Sequence, residues 1–272
     1  MPKVKVNDLE MYYEIHGDGT HLVMVNGFCE NLDEWTHLVP ISESLSKHHK
    51  VVTCDNRGMG RSSRPEGPYS TKTMADDIAG LLDHLEIDEA HILGASMGGM
   101  IAQEVALNYP DKVESLVLVA STPGGKVYGF PGQREALEKL SWMYDPPPDL
   151  SEKELMDELF GIVFYPQYFK ENKEAILSPS TEYPPVAATL EKQFDACTSH
   201  DTYDLLSSIK ARTLVIHGEN DLLLYPEGGR TLAENIPDAT LFMVREAGHA
   251  VLWETWDEIY PAIIKFLKEA DS

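Results

Sequence analysis

Short apolar runs alternate with longer amphipathic stretches along the first half of the chain. Runs typical of strands buried on both faces cover His21–Asn26, Lys50–Cys54, Ala90–Leu93 and Ser115–Ala120. Apolar residues recur at helical spacing over Leu32–Ser46, which Pro40 interrupts, and over Thr73–Leu85 and Met97–Asn108. This rhythm of strand and helix predicts right-handed crossovers and a mostly parallel sheet with helices on both faces.

Both ends of the chain extend the pattern. Lys3–Val6 and Met11–Ile15 alternate apolar and polar residues around a turn at Asn7, which predicts an antiparallel edge. Further strands are predicted at Thr213–His217 and Thr240–Val244, and further helices at Gly228–Asn235 and Trp256–Lys268. Together these elements predict an α/β fold around a sheet of eight strands.

The rhythm breaks between Gly124 and His200, where prolines and aromatic residues are frequent. Four helical stretches are predicted there: Gln133–Met143, Ser151–Val163, Gln167–Leu177 and Val186–Thr198. Because the segment carries enough apolar and aromatic residues to pack, we expect residues 124–200 to form an all-helical cap. The cap would be inserted into a core of residues 1–123 and 201–272; a long, partly ordered connection is the alternative.

Charge and cysteine content narrow the possible partners. The net charge is −23, and no run of Lys and Arg could follow a phosphate backbone, so nucleic acid and anionic membranes are not expected partners. Cys29, Cys54 and Cys197 have neither metal-binding nor disulfide spacing, which favours a reducing compartment. With no apolar run typical of a signal peptide or a membrane span, we expect a cytoplasmic monomer or homodimer.

The stretch Gly94-Ala95-Ser96-Met97-Gly98 fits G-x-S-x-G between a predicted strand and a predicted helix. That context predicts a nucleophile elbow, in which a sharp turn presents the serine hydroxyl at the carboxyl end of the sheet. Gly94 and Gly98 would remove side chains that the turn leaves no room for. A glycine-rich turn that merely packs closely is the alternative interpretation.

A serine nucleophile needs a base, and the base needs an acid to orient it. Asp221 follows one predicted strand and His249 follows the last, so both would meet Ser96 at one sheet edge. His217 is the rival base, since it ends the strand before Asp221. We expect Asp55, which also ends a strand, to hold its own loop together with Arg57. 

An acyl-transfer site also needs two donors for the oxyanion. We expect the backbone N–H of Met97, directly after Ser96 at a helix N-terminus, to be one. The other is expected from the loop after His21–Asn26 and is best assigned to the N–H of Phe28.

Five segments resemble the α/β-hydrolase superfamily, in particular its small cap-bearing bacterial esterases, enol-lactonases and perhydrolases. They are residues 25–28, 55–62, 94–99, 214–221 and 247–249. The family's oxyanion loop usually begins His-Gly, and here Asn26 replaces the histidine, so we expect the Asn26 side chain to hold the loop. Cys29 either lines the pocket or, as the simpler interpretation, serves as a small buried apolar residue.

The resemblance implies a serine hydrolase that cleaves a small carboxylic ester, or a lactone or thioester, through an acyl-enzyme on Ser96, His249 and Asp221. It implies no metal and no cofactor, and it leaves the substrate-binding residues unidentified. Two alternatives stay open: cleavage of a C–C bond or perhydrolysis by the same triad, and a ligand-binding or regulatory protein with little turnover.

Overall fold

The computed structural model describes residues 2–67, 69–129, 133–178 and 181–271. Within these residues one sheet of eight strands has the order β1-β2-β4-β3-β5-β6-β7-β8. The strands are β1 (Lys3–Val6), β2 (Leu9–His16), β3 (His21–Val25), β4 (Lys50–Cys54), β5 (Ala90–Ala95), β6 (Val113–Val119), β7 (Arg212–Gly218) and β8 (Ala239–Val244). The pairs β1–β2 and β2–β4 are antiparallel and the remaining pairs are parallel, which confirms the predicted sheet.

The helices follow the predicted periodicity closely. They are α1 (Glu34–His37), α2 (Ile41–Leu45), α3 (Thr71–His84), α4 (Met97–Asn108), α5 (Gln133–Ser141), α6 (Glu152–Val163), α7 (Pro166–Ile176), α8 (Ala187–Thr198), α9 (Pro226–Asn235), α10 (Val251–Glu254) and α11 (Trp256–Ala270). The stretch predicted as one interrupted helix, Leu32–Ser46, forms the two short helices α1 and α2. Pro40 separates them because it has no N–H to continue the helical ladder.

Both faces of the sheet are buried, because successive side chains of each central strand enter different cores. Val23 and Val25 of β3 pack with α3 and α4 in one core. Leu22 and Met24 of the same strand pack with α2 and α11 in the other. Alternate side chains point to opposite faces of a strand, so a continuous apolar run is what a sheet covered on both sides requires.

Helices α5 to α8 all lie between β6 and β7. The chain leaves and rejoins the sheet side by side, since Gly124 and Asp201 form an isolated antiparallel bridge. Gly124 has φ +67, and a Cβ there would meet the His200 backbone oxygen at 1.9 Å, so the crossing requires glycine. Of the predicted cap, residues 130–132 and 179–180 lie outside the described residues.

The loop after β4 is held differently from our expectation. Asp55 does hold its loop, because its carboxylate accepts the backbone N–H of Arg61 at 2.7 Å. Arg57 also holds the loop, but through a helix and not through Asp55. It makes a two-pronged contact with Asp77 of α3, at 2.7 and 2.9 Å, and both side chains are only 2% exposed. The pair therefore joins the loop to α3.

In the part of the chain that the structure describes, no helix combines the length and the apolar character needed to cross a membrane.

The buried Arg57–Asp77 pair predicts a large stability effect. Asp77→Ala should lower the free energy of unfolding by about 3 kcal/mol, because the buried guanidinium loses two hydrogen bonds and keeps only Asp8, a more exposed carboxylate 3.0 Å away. Urea unfolding followed by circular dichroism measures this. Asp204→Ala removes an ion pair whose side chains are 70% and 80% exposed, and it should have a far smaller effect. Equal losses in the two variants would contradict the prediction.

Candidate active site

The turn between β5 and α4 holds Ser96 in a backbone conformation that side chains rarely adopt, with φ +54° and ψ −117°. A Cβ on Gly94 would meet the Gly98 backbone oxygen at 2.2 Å, and one on Gly98 would meet the Val25 oxygen at 2.0 Å. The turn is therefore possible only with glycine at both positions. All residues from Ala90 to Met100 are buried except Ser96, which is partly exposed.

Three predicted residues meet at the carboxyl edge of the sheet. Ser96 directly follows β5, Asp221 follows β7, and His249 lies in the loop after β8. The Ser96 Oγ lies 2.9 Å from His249 Nε2, and His249 Nδ1 lies 2.8 Å from Asp221 Oδ2. The hydroxyl can therefore donate to the imidazole, and the imidazole can donate to the carboxylate.

The surroundings of Asp221 keep it ionised. Burial alone would raise its pKa, but the charge of His249 and hydrogen bonds from His217 and His249 outweigh burial and lower the pKa to about 2. Its other oxygen accepts the N–H groups of Leu223 and Leu224 at 2.9 and 2.8 Å. Burial would lower the pKa of His249, yet the Asp221 carboxylate raises it above the ordinary value.

His217, the rival base, lies behind the acid. Its Nε2 is 2.7 Å from the Leu224 backbone oxygen and 3.1 Å from Asp221 Oδ2. Its other ring nitrogen faces Gly229, where a Cβ would approach to 2.6 Å. The ring is fully buried, so it can support Asp221 while His249 occupies the side that faces Ser96.

Of the two expected oxyanion donors, Met97 directly follows Ser96 and Phe28 lies in the loop after β3. Among the described residues, neither the N–H of Phe28 nor that of Met97 donates a hydrogen bond. The loop that carries Phe28 is held by Asn26, whose side chain donates to the Cys54 backbone oxygen at 2.7 Å. Asp55 also fixes this loop, because its carboxylate accepts a hydrogen bond from the Leu32 N–H at 2.8 Å. The Asn26 side chain thus does hold this loop.

The cap reaches the same loop through one buried side chain. Gln193 of α8 accepts the N–H of Cys29 at 3.1 Å and is itself fully buried. Cys29 has φ +62°, a conformation that favours glycine, so an external hydrogen bond helps to hold it. The peptide next to the Phe28 donor is therefore fixed from the cap.

A second contact joins the cap to the His249 loop. One carboxylate oxygen of Glu254 accepts the N–H of Tyr165, at the start of α7, at 2.6 Å. The other accepts the N–H of Gly248, next to His249, also at 2.6 Å. Burial raises the pKa of Glu254, although these two donors oppose the effect.

A cavity of about 380 Å³ opens above Ser96 and His249. Its wall is largely apolar and comes from the cap helices and from α10. The cap contributes Leu140, Met143, Leu155, Leu159, Phe160 and Phe164, among others, and α10 contributes Leu252 and Trp253. Cys29 also lies on this wall and is half-buried. Of its two interpretations, the structure therefore favours the one in which Cys29 lines the pocket.

One end of the cavity is polar, with Glu30, Glu34 and His37 on its wall. Glu30 accepts the N–H of Gly27 at 2.7 Å. Burial and the charge of Glu34 raise the pKa of Glu30 to about 8, so this carboxyl carries a proton at neutral pH. Among the described residues of the wall there is no Lys and no Arg.

Sequence reasoning missed Glu30, Gln193 and Glu254. Glu30 and Glu254 each lie within five residues of a predicted site residue, which is a signal that could have been used. Gln193 had no such signal, because only the packing of the cap against the loop brings it to Cys29.

Comparison with known proteins defines the class. Residues 20–255 match the alpha/beta hydrolase fold family, and the chain belongs to that family. Its enzyme class is accordingly that of a hydrolase.

Individual relatives are similar along their whole length. A protein from Azorhizobium caulinodans with the provisional name carbamate hydrolase RutD is 28% identical over 274 residues, which is 100% of both chains. The 2-hydroxymuconate semialdehyde hydrolase from Pseudomonas sp. (strain CF600) is 27% identical and covers 94% of this chain and 89% of its own. The enol-lactonase structure from Burkholderia xenovorans LB400 has a TM-score of 0.83 at 26% identity, covering 98% of this chain and 100% of its own. The three names differ in the kind of compound that they specify.

The protonated state of Glu30 predicts how stability depends on pH. An exposed Glu in the unfolded chain titrates near 4.5, whereas Glu30 titrates near 8 in the folded state. Between these values the folded state binds more protons, so the free energy of unfolding falls as pH rises through this window. Glu30→Gln mimics the protonated carboxyl. Its free energy of unfolding should therefore rise relative to that of the native chain by at least about 1 kcal/mol between pH 5 and pH 9.

Urea unfolding at pH 5, 7 and 9 checks this difference. The exposed Glu86 supplies the control, since Glu86→Gln should show the same offset at all three pH values. If the free energies of unfolding of Glu30→Gln and the native chain differed by the same amount at all three pH values, Glu30 would be ionised at neutral pH.

Proposed function

We propose that this hydrolase cleaves carboxylic esters through an acyl-enzyme on Ser96. One observation carries the proposal: the hydrogen-bonded chain Ser96–His249–Asp221 opens directly on an apolar cavity. The three groups have the order and the roles of a nucleophile, a base and an orienting acid.

The geometry supports each step of acyl transfer. His249 takes the proton of Ser96 as the oxygen attacks the ester carbonyl, and Asp221 stabilises the imidazolium that forms. The N–H groups of Phe28 and Met97 would bind the oxyanion, and Met97 starts α4, so the helix dipole assists. His249 then protonates the leaving alcohol and activates the water that releases the acid.

The cavity supports an uncharged, largely apolar acyl or alcohol group. Leu155, Leu159 and Phe160 offer apolar surface, and the described wall has no Lys or Arg that would pair with an anionic substrate. At its polar end, the protonated Glu30 can donate a hydrogen bond to a neutral oxygen of the substrate. Residues 124–200 would act as the cap that excludes water and selects the substrate.

C–C bond cleavage is the second candidate, because a similar chain is named 2-hydroxymuconate semialdehyde hydrolase. We favour the ester because the described wall offers neither Lys nor Arg to a charged group. We also propose a cytoplasmic location, which is supported by the lack of a disulfide between any of Cys29, Cys54 and Cys197.

A panel of p-nitrophenyl esters and lactones of graded acyl length tests the proposed function. The native chain should turn over the esters, with kcat/KM rising by up to about fourfold per added methylene until the cavity is full. Ser96→Ala should lower kcat/KM by at least about 10⁴-fold while the fold persists, and His249→Gln should be similarly severe because the pair acts as a unit.

His217→Gln is the matched control and should retain far more activity than His249→Gln. A fluorophosphonate probe should add once, at Ser96.

Activity that survives Ser96→Ala would refute the assignment of Ser96 as the nucleophile. Inactivity on every ester and lactone, with turnover of a β-diketone or of peroxide, would select the C–C or perhydrolase alternative. Ligand binding without turnover would select a regulatory role.

The contact between Gln193 and Cys29 predicts a positioning effect. Gln193→Met removes the acceptor, so the Phe28 donor should be less well placed and kcat should fall about tenfold. The loss of a whole oxyanion donor costs roughly 10²–10³ in kcat, and a loosened one should cost less. KM should change little, because the oxyanion forms after the substrate binds.

Gln193→Glu keeps a side-chain oxygen at the same place and should restore most of kcat. Glu191→Met, on the exposed side of the same helix, is the control for general effects of the substitution. Steady-state kinetics on the best ester measures all three. A rise in KM alone, or no rescue by glutamate, would mean that Gln193 merely packs.

A further inference from the structure

Two buried histidines and a carboxylate meet at the edge of the sheet opposite to Ser96. His49 immediately precedes β4, His91 is the second residue of β5, and Asp271 directly follows α11. The pairing of β3 with β4 and β5 aligns the amino ends of these strands. One ligand-type atom from each of the three side chains lies within 4.8 Å of the other two. The proposed ester chemistry uses none of them.

His49 is the unusual member of this group. Its side chain is 1% exposed, and its buried Nδ1 has no hydrogen-bond partner among the described residues. Its Nε2 is 3.9 Å from Asp271 Oδ2, which is too long for a hydrogen bond. Buried polar side chains nearly always have a partner. The Nε2 atom of this ring faces a carboxylate without bonding to it, at a separation that leaves room for an ion between the two.

His91 has the surroundings of an oriented ligand. Its Nδ1 lies 2.9 Å from Ser115 Oγ, and its Nε2 lies 3.1 Å from Asp271 Oδ1. A histidine that binds a metal with one nitrogen usually donates from the other to a neighbouring oxygen. When Nδ1 donates to Ser115, the Nε2 lone pair points towards Asp271, and a cation between the two would attract both.

We propose that His49, His91 and Asp271 bind a divalent transition-metal ion of the zinc type, with solvent as a further ligand. Ligands at about 2.0–2.1 Å from tetrahedral zinc are about 3.4 Å apart. His91 Nε2 lies 3.1 Å from one oxygen of Asp271 and His49 Nε2 lies 3.9 Å from the other, so small side-chain shifts would bring both rings and the carboxylate to one ion. Two imidazoles and one carboxylate select zinc, cobalt or nickel over the all-oxygen preference of magnesium and calcium.

The ion would join the end of α11 to the amino ends of β4 and β5. Thr20 adds a hydroxyl 3.4 Å from Asp271 Oδ2. Because Asp271 is partly exposed, the ion could enter from solvent past this side chain. The site would therefore stabilise the closing helix, far from the reacting groups.

Titration of chelator-treated protein with ZnCl₂ tests the proposal, using calorimetry for stoichiometry and thermal unfolding for stability. We expect one equivalent of zinc to bind and to raise the unfolding temperature. His91→Gln and Asp271→Asn should each weaken binding at least tenfold and abolish the stabilisation. His48→Gln is the matched control, since it removes the exposed neighbouring histidine and should leave binding unchanged. Cobalt titration should give the visible absorption of a tetrahedral ion.

Three results would overturn the proposal. They are the lack of saturable zinc binding, an equal loss in His48→Gln, and binding that survives Asp271→Asn but disappears in His249→Gln, which would place the ion in the active site. Should His91→Gln fail to fold, Asp271→Asn decides alone, because this residue lies beyond the last helix and is not needed to build the core.

Discussion

The close approach of β5, α4 and the loop after β3 is the constraint on which the site depends. Gly94 and Gly98 let the first turn of α4 come within contact of the Val25 and Asn26 backbone oxygens. That contact forces Ser96 to φ +54° and leaves its hydroxyl at the sheet edge. Met97 begins this turn of α4 and Phe28 lies in the same loop after β3, so the two expected oxyanion donors depend on this contact as well. Strain at one residue is thus offset by the packing of two strands and a helix.

Asp221 shows how burial and hydrogen bonding compete at this edge. A carboxylate that is removed from water should become protonated, yet two backbone donors and two histidines surround this one. The result is an ionised acid whose orientation is set from all sides. In the sequence His217 and His249 both look like candidate bases, since one ends β7 and the other lies in the loop after β8. In the structure His217 supports the acid and His249 faces the serine.

The cap does more than cover the cavity. Gln193 accepts from the loop that carries Phe28, and Glu254 joins the start of α7 to the backbone beside His249. A displacement of the cap would therefore shift both the loop that carries Phe28 and the loop that carries His249. The packing of α7 and α8 on the core thus helps to align the loops beside Ser96 and His249.

Periodicity and turn chemistry predicted most of the fold and the three residues that meet at the candidate active site. Strand β4 and helix α4 have the predicted bounds, and Ser96, Asp221 and His249 were predicted from their places after successive strands. This was possible because the ends of parallel strands meet at one edge, so chain position alone implies proximity. The contact of Arg57 with Asp77 was not predicted, since it depends on which helix packs beside the loop. Glu30, Gln193 and the His49–His91–Asp271 group carry no local pattern. Their proximity arises from contacts between distant segments, and such contacts only the tertiary structure decides.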